Sequence, residues 1–146
     1  MSVEAARRIV VAGVCAVGVI VVAACARVRY DPARATRPYP HHLHRAVAVD
    51  IQVFRDSETI EIVNSTARSY SDFDLWVNQR YVQHIAGLAP GQTIRLSLWD
   101  FYDERGEVIN AGGFWRTEPP TPVRLVEIQP GAEEPMIGLI TIREED

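Results

Sequence analysis

The chain has 146 residues and a formal net charge of −4. Set apart from its apolar first stretch, it leaves about 100 residues, one domain's worth and enough to bury a core. All 15 basic residues are arginine, and both cysteines fall within the first 25 positions, which excludes a disulfide framework for the body of the chain.

Arg7 and Arg8 precede an uninterrupted apolar and small-residue run, Ile9 to Ala24. A positive start, an apolar middle and a small-residue exit form the layout of a secretory signal over residues 1–24. The 16 residues of the run would span about 24 Å as a helix, short of the roughly 30 Å hydrocarbon core of a bilayer. The run closes on Val22-Ala23-Ala24-Cys25: aliphatic, small, small, cysteine. This resembles the lipobox of bacterial lipoproteins. The resemblance implies cleavage before Cys25 and acylation of that residue, with two or more chains needed for firm anchorage. Cys15 lies mid-run without an aliphatic residue three before it and reads as a small apolar filler. An uncleaved N-terminal anchor, since Ala26 and Val28 extend the run, and a cleaved soluble secreted protein remain alternatives. Arg7-Arg8 only loosely resembles a twin-arginine signal.

Residues 25–45 read as a basic linker. From Ala26 to Arg45 there are five arginines against one aspartate, a charge that can rest on anionic head groups or simply be solvated. Pro32, Pro38 and Pro40 without a steady period predict an extended tether. His41, His42 and His44 stand close together, and such tracts can bind metal. No acid or cysteine lies among them to complete a four-ligand site, so no metal or cofactor is expected.

From Ala46 to Asp146 eight arginines face seventeen acids, which argues against nucleic acid as a partner. Here apolar residues recur at every second position. Val47, Val49, Ile51 and Val53 predict one half-buried strand, and Ile60 and Ile62 its return after a turn at Asp56-Ser57-Glu58. Asn64-Ser65-Thr66 matches a glycosylation sequon and is expected to mark an exposed loop. Phe73, Leu75 and Val77 point inward on the next strand. Asn78-Gln79 makes a tight turn, and Tyr81 to Ile85 pairs back. Leu88-Ala89-Pro90-Gly91 is a turn with Pro and Gly in the favoured places. It leads to Thr93–Trp99 with Ile94, Leu96 and Leu98 inward. Asp103-Glu104-Arg105-Gly106 turns the chain into Val108-Ile109. Pro119, Pro120 and Pro122 stiffen a connection to two last strands, Val123–Ile128 and Met136–Ile142. Both carry apolar residues on each parity, as central strands do. The expectation is an all-β domain over residues 46–146. Its fold would be an Ig-like antiparallel β-sandwich of seven or eight strands, after an N-terminal apolar helix. A small barrel or jelly roll is the second choice.

The chain lacks a glycine-rich phosphate loop, a Gly-x-Ser-x-Gly elbow, a Cys-x-x-Cys pair and a His-Glu-x-x-His helix. His84 has no partner assigned by sequence. Asp72 and Asp74, two apart on a strand, share its wet face and could serve as acid and base. Asp100, Asp103, Glu104 and Glu107 surround Gly106, where oxygen ligands could hold calcium, but the spacing does not match the twelve-residue EF-hand loop and a hairpin turn with solvated acids is the favoured reading. The aromatic residues form the more pointed pattern. Trp76 and Trp99 fall on the parity opposite the inward residues, with Tyr70, Tyr81, Tyr102, Phe114 and Trp115 in nearby turns or strand ends. They either form an exposed contact surface, centred on Trp76, Tyr81, Trp99 and Tyr102, or pack beneath the 112–122 connection. The expected function is a membrane-tethered, non-catalytic binding or structural module of the bacterial cell envelope, facing the periplasm or exterior. It would contact another envelope protein or a glycan. A hydrolase using the surface carboxylates and a metal-handling protein using the linker histidines are the competing classes.

Overall fold

A computed structural model describes residues 30–113 and 118–142. The apolar leader, Cys25, Phe114 and Trp115 lie outside the described residues, as does the expected N-terminal helix. Among the described residues no helix is long and apolar enough to cross a membrane.

The body of the chain is all-β. Seven strands form: β1 (Ala48–Asp56), β2 (Thr59–Asn64), β3 (Tyr70–Val77), β4 (Tyr81–Leu88), β5 (Thr93–Ser97), β6 (Val126–Gln129) and β7 (Ile137–Ile142). They hydrogen-bond in the order β4-β3-β6-β7-β1-β2-β5. Every neighbouring pair is antiparallel except β1 and β7, which run parallel. The sheet is therefore mixed, not antiparallel throughout as expected of an Ig-like sandwich, and it curls nearly into a barrel. Alternation fixes which face of a strand is buried but is silent on strand direction, so the parallel seam left no mark in the pattern. The expected strand at Val108-Ile109 is an isolated bridge from Val108 to Tyr102.

The core lies on the concave side and takes the inward residues that the alternation picks out. Ile51, Val53, Ile60, Ile62, Phe73, Leu75 and Val77 are all buried there, with Ile94 and Leu96 packed against them. Val47 is the exception: it lies before β1 and is 70% exposed. β6 and β7 are central, as their two-sided apolar pattern implies. The turns follow their chemistry. Asn78 and Gln79 both adopt positive φ, 53° and 56°, the requirement of a type I′ turn. Gly91 takes φ 70°, with Gln92 N–H donating to the Ala89 carbonyl at 3.1 Å. Arg55 reaches from β1 to the long 101–125 connection and donates to the carbonyls of Ala111 and Thr121.

Two segments depart from expectation. Residues 30–45 do not stand free as a tether but form a strap on the convex side of the sheet. Short 3₁₀ turns at Pro32–Arg34 and His41–Leu43 shape it, and Tyr39 and Leu43 are buried in a second apolar cluster with Trp76, Val82 and Met136. The sequon does open an exposed loop over residues 65–69, but its asparagine is not part of that surface. Asn64 is fully buried, its amide donating to the carbonyls of Arg68, Leu88 and Ala89 and its carbonyl accepting from Thr66 N–H and hydroxyl. Asn64→Ala removes these bonds, the buried one to Leu88 among them, and is expected to lower stability by about 2 kcal/mol, to be read from urea unfolding of the two proteins.

Candidate functional site

The convex face of β4-β3-β6 carries polar residues in register. Asp74 lies opposite His84 on β4 and opposite Gln129 on β6; Trp76 lies opposite Val82 and Glu127. Outward-pointing positions of three adjacent strands thus line up in two rows. The strap crosses both rows and places a polar side chain over each.

On the first row Arg37 donates to Asp74 Oδ2 at 2.6 Å and to Gln129 Oε1 at 2.7 Å. The same Gln129 oxygen accepts from the Trp76 indole N–H at 2.9 Å. Arg37 also stacks over the Trp76 ring, 5.3 Å from its centroid, a cation–π contact. On the second row Glu127 is 1% exposed. A carboxylate so buried needs partners, and it has two: the Tyr39 hydroxyl donates to Oε2 at 2.7 Å, and His44 Nδ1 lies 2.6 Å from Oε1. Burial first, then the bond to Glu127 and its charge, pushes the Tyr39 phenol well above its ordinary pKa. The Tyr39 ring packs edge-on against Trp76 at 5.2 Å.

Beyond the strap, His84 sits between two aspartates, Nδ1 2.9 Å from Asp74 Oδ1 and Nε2 3.2 Å from Asp72 Oδ1. Asp72 reaches it from a positive φ of 56°, uncommon for a residue with a Cβ. The hydrogen bond to Asp74, ahead of that to Asp72, raises the His84 pKa above its ordinary value. A raised histidine contributes stability that is complete below about pH 6.5, its unfolded value, and fades as pH climbs through the folded one. The imidazole is 60% exposed, so solvent screens the gain. NMR titration of His84 is expected to show a midpoint above that of a free histidine, falling back toward it in Asp74→Asn.

A third group ties the β3–β4 turn to the 102–107 loop. Arg80 donates to Asp103 Oδ2 through Nε at 2.9 Å and Nη2 at 2.7 Å, and also pairs with Glu107. Asp103 Oδ1 accepts the backbone N–H of Arg105 at 2.9 Å and of Glu107 at 2.8 Å. Burial alone would raise the Asp103 pKa, but Arg80 and the two backbone donors outweigh it and hold it below the ordinary carboxylate range. Asp103 is 2% exposed; it anchors this turn from inside, whereas sequence alone leaves it among solvated acids. Beside it opens a cleft of about 370 Å³. Pro38, Tyr39 and His41 of the strap, Gln79 and Arg80 of the turn, and Asp103–Arg105 of the loop line it. Its lining carries both signs of charge, from Arg80 and Arg105 and from Asp103 and Glu104.

The four aromatic residues expected to share a contact face are dispersed. Trp76 points away from the main core as its parity requires, but it is fully buried beneath the strap. Tyr81 is buried in the main core with Arg80 stacked on its ring at 4.9 Å. Trp99 is half-buried on a 3₁₀ turn, its indole N–H donating to Glu58 Oε2 at 2.6 Å. Tyr102 is half-buried, bridged to Val82 at the β4 edge, with Arg34 over its ring at 5.1 Å. The convex side reads as wet in the sequence because the segment that covers it, broken by Pro38 and Pro40, has no apolar period.

No protein-family model matches this chain, and neither the curated proteins nor the solved structures compared with it gave a match.

The acids and histidines fall into separate groups. Asp72 and Asp74 flank His84, one at each ring nitrogen. Asp103 and Glu107 belong to the Arg80 group. His44 joins Glu127, while His41 packs edge-on to Tyr39 at 4.9 Å. Among the described residues no three His, Cys, Asp or Glu side chains gather as metal ligands would.

Proposed function

We propose that this chain is a membrane-tethered module of the bacterial cell envelope, facing the periplasm or exterior, that binds or braces another envelope component and turns over no substrate. The observation that carries the reading is the lipobox-like Val22-Ala23-Ala24-Cys25 at the end of the apolar run. Two further features support it. The chain holds no cysteine beyond Cys25, leaving that thiol free for lipid. Asp74, Glu127 and His44 tie strap to sheet, and Asp103 and Glu107 tie turn to loop.

The fold we propose is an Ig-like sandwich. Taken apart at the parallel β1–β7 seam, the strand order separates into β1-β2-β5 and β4-β3-β6-β7, two antiparallel layers facing one core, which supports that assignment. With Trp76 beneath the strap, the cleft between Tyr39, Arg80 and Arg105 becomes the better candidate for partner or glycan contact.

Intact mass of protein extracted from membranes tests the anchor. The expected mass lacks residues 1–24 and includes lipid on Cys25; a full-length, unacylated mass would overturn the lipoprotein reading. For the cleft, His41→Ala with Arg105→Glu is expected to abolish crosslinking to envelope partners or binding to glycan fragments while leaving the unfolding curve in place. Unchanged capture would rule the cleft out.

A further inference from the structure

The antiparallel pairs and the parallel β1–β7 seam make β1, β3, β5 and β7 run one way and β2, β4 and β6 the other. The connections after β1, β3 and β5 therefore gather at one end of the domain, together with Ile142. The connections 65–69, 89–92 and 130–136 gather at the opposite end. The strap joins the first end. Tyr30 bridges to Glu107, Asp31 N–H donates to the Gly106 carbonyl at 2.8 Å, and Thr36 N–H donates to the Asp103 carbonyl at 3.0 Å. It then runs along the convex face to the opposite end, where Met136 N–H donates to the Leu43 carbonyl at 2.8 Å. The junction is tight: a Cβ on Gly106, at φ +84°, would stand 2.1 Å from the Asp31 carbonyl oxygen.

The packed strap provides no slack. Only Ala26 to Arg29 separate Cys25 from Tyr30, and five fully extended steps reach at most about 18 Å. β4, eight residues long, covers about 23 Å at the usual rise. A domain inverted on a membrane would lift Tyr30 farther than that leash extends. We infer that the end bearing Tyr30, Trp99 and the 102–107 loop lies against the lipid surface, with the opposite end turned outward. The inference rests on the membrane-anchored reading and holds for lipid on Cys25 and for an uncleaved run alike.

The surface fits that neighbour. Tyr30 is 53% exposed, and Phe54 and Ile142, register partners across the β1–β7 seam, are 36% and 41% exposed. Amphipathic aromatics favour the head-group level. Arginines and acids are mixed here, Arg34 beside Asp31 and Arg80 with Asp103 and Glu107, so the leash and apolar contact hold this end down and added salt leaves it in place.

Full-length protein, processed in its host and reconstituted into phosphatidylethanolamine–phosphatidylglycerol vesicles, tests this. In a Cys15→Ser background, with Cys25→Ser added where intact mass shows an uncleaved, unacylated chain, single fluorophores go on Glu104→Cys at the proposed membrane end, His42→Cys on the strap face and Ala67→Cys at the opposite end. All three sites are exposed. A head-group spin-labelled lipid is expected to quench the Glu104→Cys probe several-fold more than the other two, in low and high salt. A twenty-residue Gly-Ser insertion between Arg29 and Tyr30 should erase most of that contrast. Equal quenching at all sites, stronger quenching at His42→Cys or Ala67→Cys, or a contrast indifferent to the insertion would overturn the inference. Protein that fails to float with the vesicles would overturn the anchored reading and this inference together. Protein that floats without the contrast would remove this inference alone.

Discussion

Trp76→Ala is expected to lower the free energy of unfolding by about 4 kcal/mol, within the range for removing a buried tryptophan. The indole is fully buried, meets the Tyr39 ring edge-on at 5.2 Å and donates to Gln129. Its removal opens a cavity in the smaller cluster, which has only Tyr39, Leu43, Val82 and Met136 to close it. It also leaves Arg37 without its aromatic platform. The loss should be uneven. Strap amides near Tyr39 and Leu43 are expected to exchange hydrogen much faster, while those of β1 and β2, on the far side of the seam, follow the global stability. Chemical denaturation gives the first quantity and hydrogen exchange the second. Undiminished stability would mean that the strap is not held by this contact. Loss of a binding partner in Trp76→Ala would report a detached strap and not a vanished contact, so the residue cannot serve as a probe of an exposed face.

Asp103→Ala is expected to lower stability by about 3 kcal/mol. It removes one buried carboxylate that serves Arg80 twice and two backbone N–H groups once each. Breaking a fully buried ion pair from one side costs about 3–5 kcal/mol. Arg80 is half exposed and recovers water, which places this case at the lower edge. Asp103→Asn separates charge from shape. Because the Asp103 pKa is held below its ordinary value, its contribution is present above about pH 4, the unfolded value. It is lost as pH falls through the folded one. The stability gap between the natural protein and Asp103→Asn should stay constant from neutrality to about pH 5 and close on further acidification. A gap that widened in acid would contradict the ion pair.

The strands and their inward residues were legible because alternation over Ile51–Val53, Ile60–Ile62 and Phe73–Val77 records which face is dry. The convex cluster was not, because Tyr39 and Leu43 supply its lid from a segment with no period. A partial signal existed: Leu75-Trp76-Val77 is apolar on both parities at the end of its strand, as in a strand covered on both sides. The Asp74–His84 pairing turned on one residue of register. A two-residue turn at Asn78-Gln79 would set Asp74 opposite Gln83, but Asn78 to Arg80 all lie between the paired Val77 and Tyr81, and the shift brings His84 across instead. Asn64 and Asp103 read as wet in the sequence for a common reason. Polar residues beside turns are usually wet, yet each here satisfies backbone groups that the turn itself buries.

The seam between β1 and β7 has a bearing on how the chain is made. A ribosome delivers the first strand some ninety residues before its neighbour on that side, and closing so long a loop is slow. Until Ile137 and its followers emerge, Ala48–Asp56 can pair only with β2, and the two halves of the sheet stay unjoined. A nascent polypeptide thus stays loosely assembled, and it acquires its final shape only when its tail has arrived.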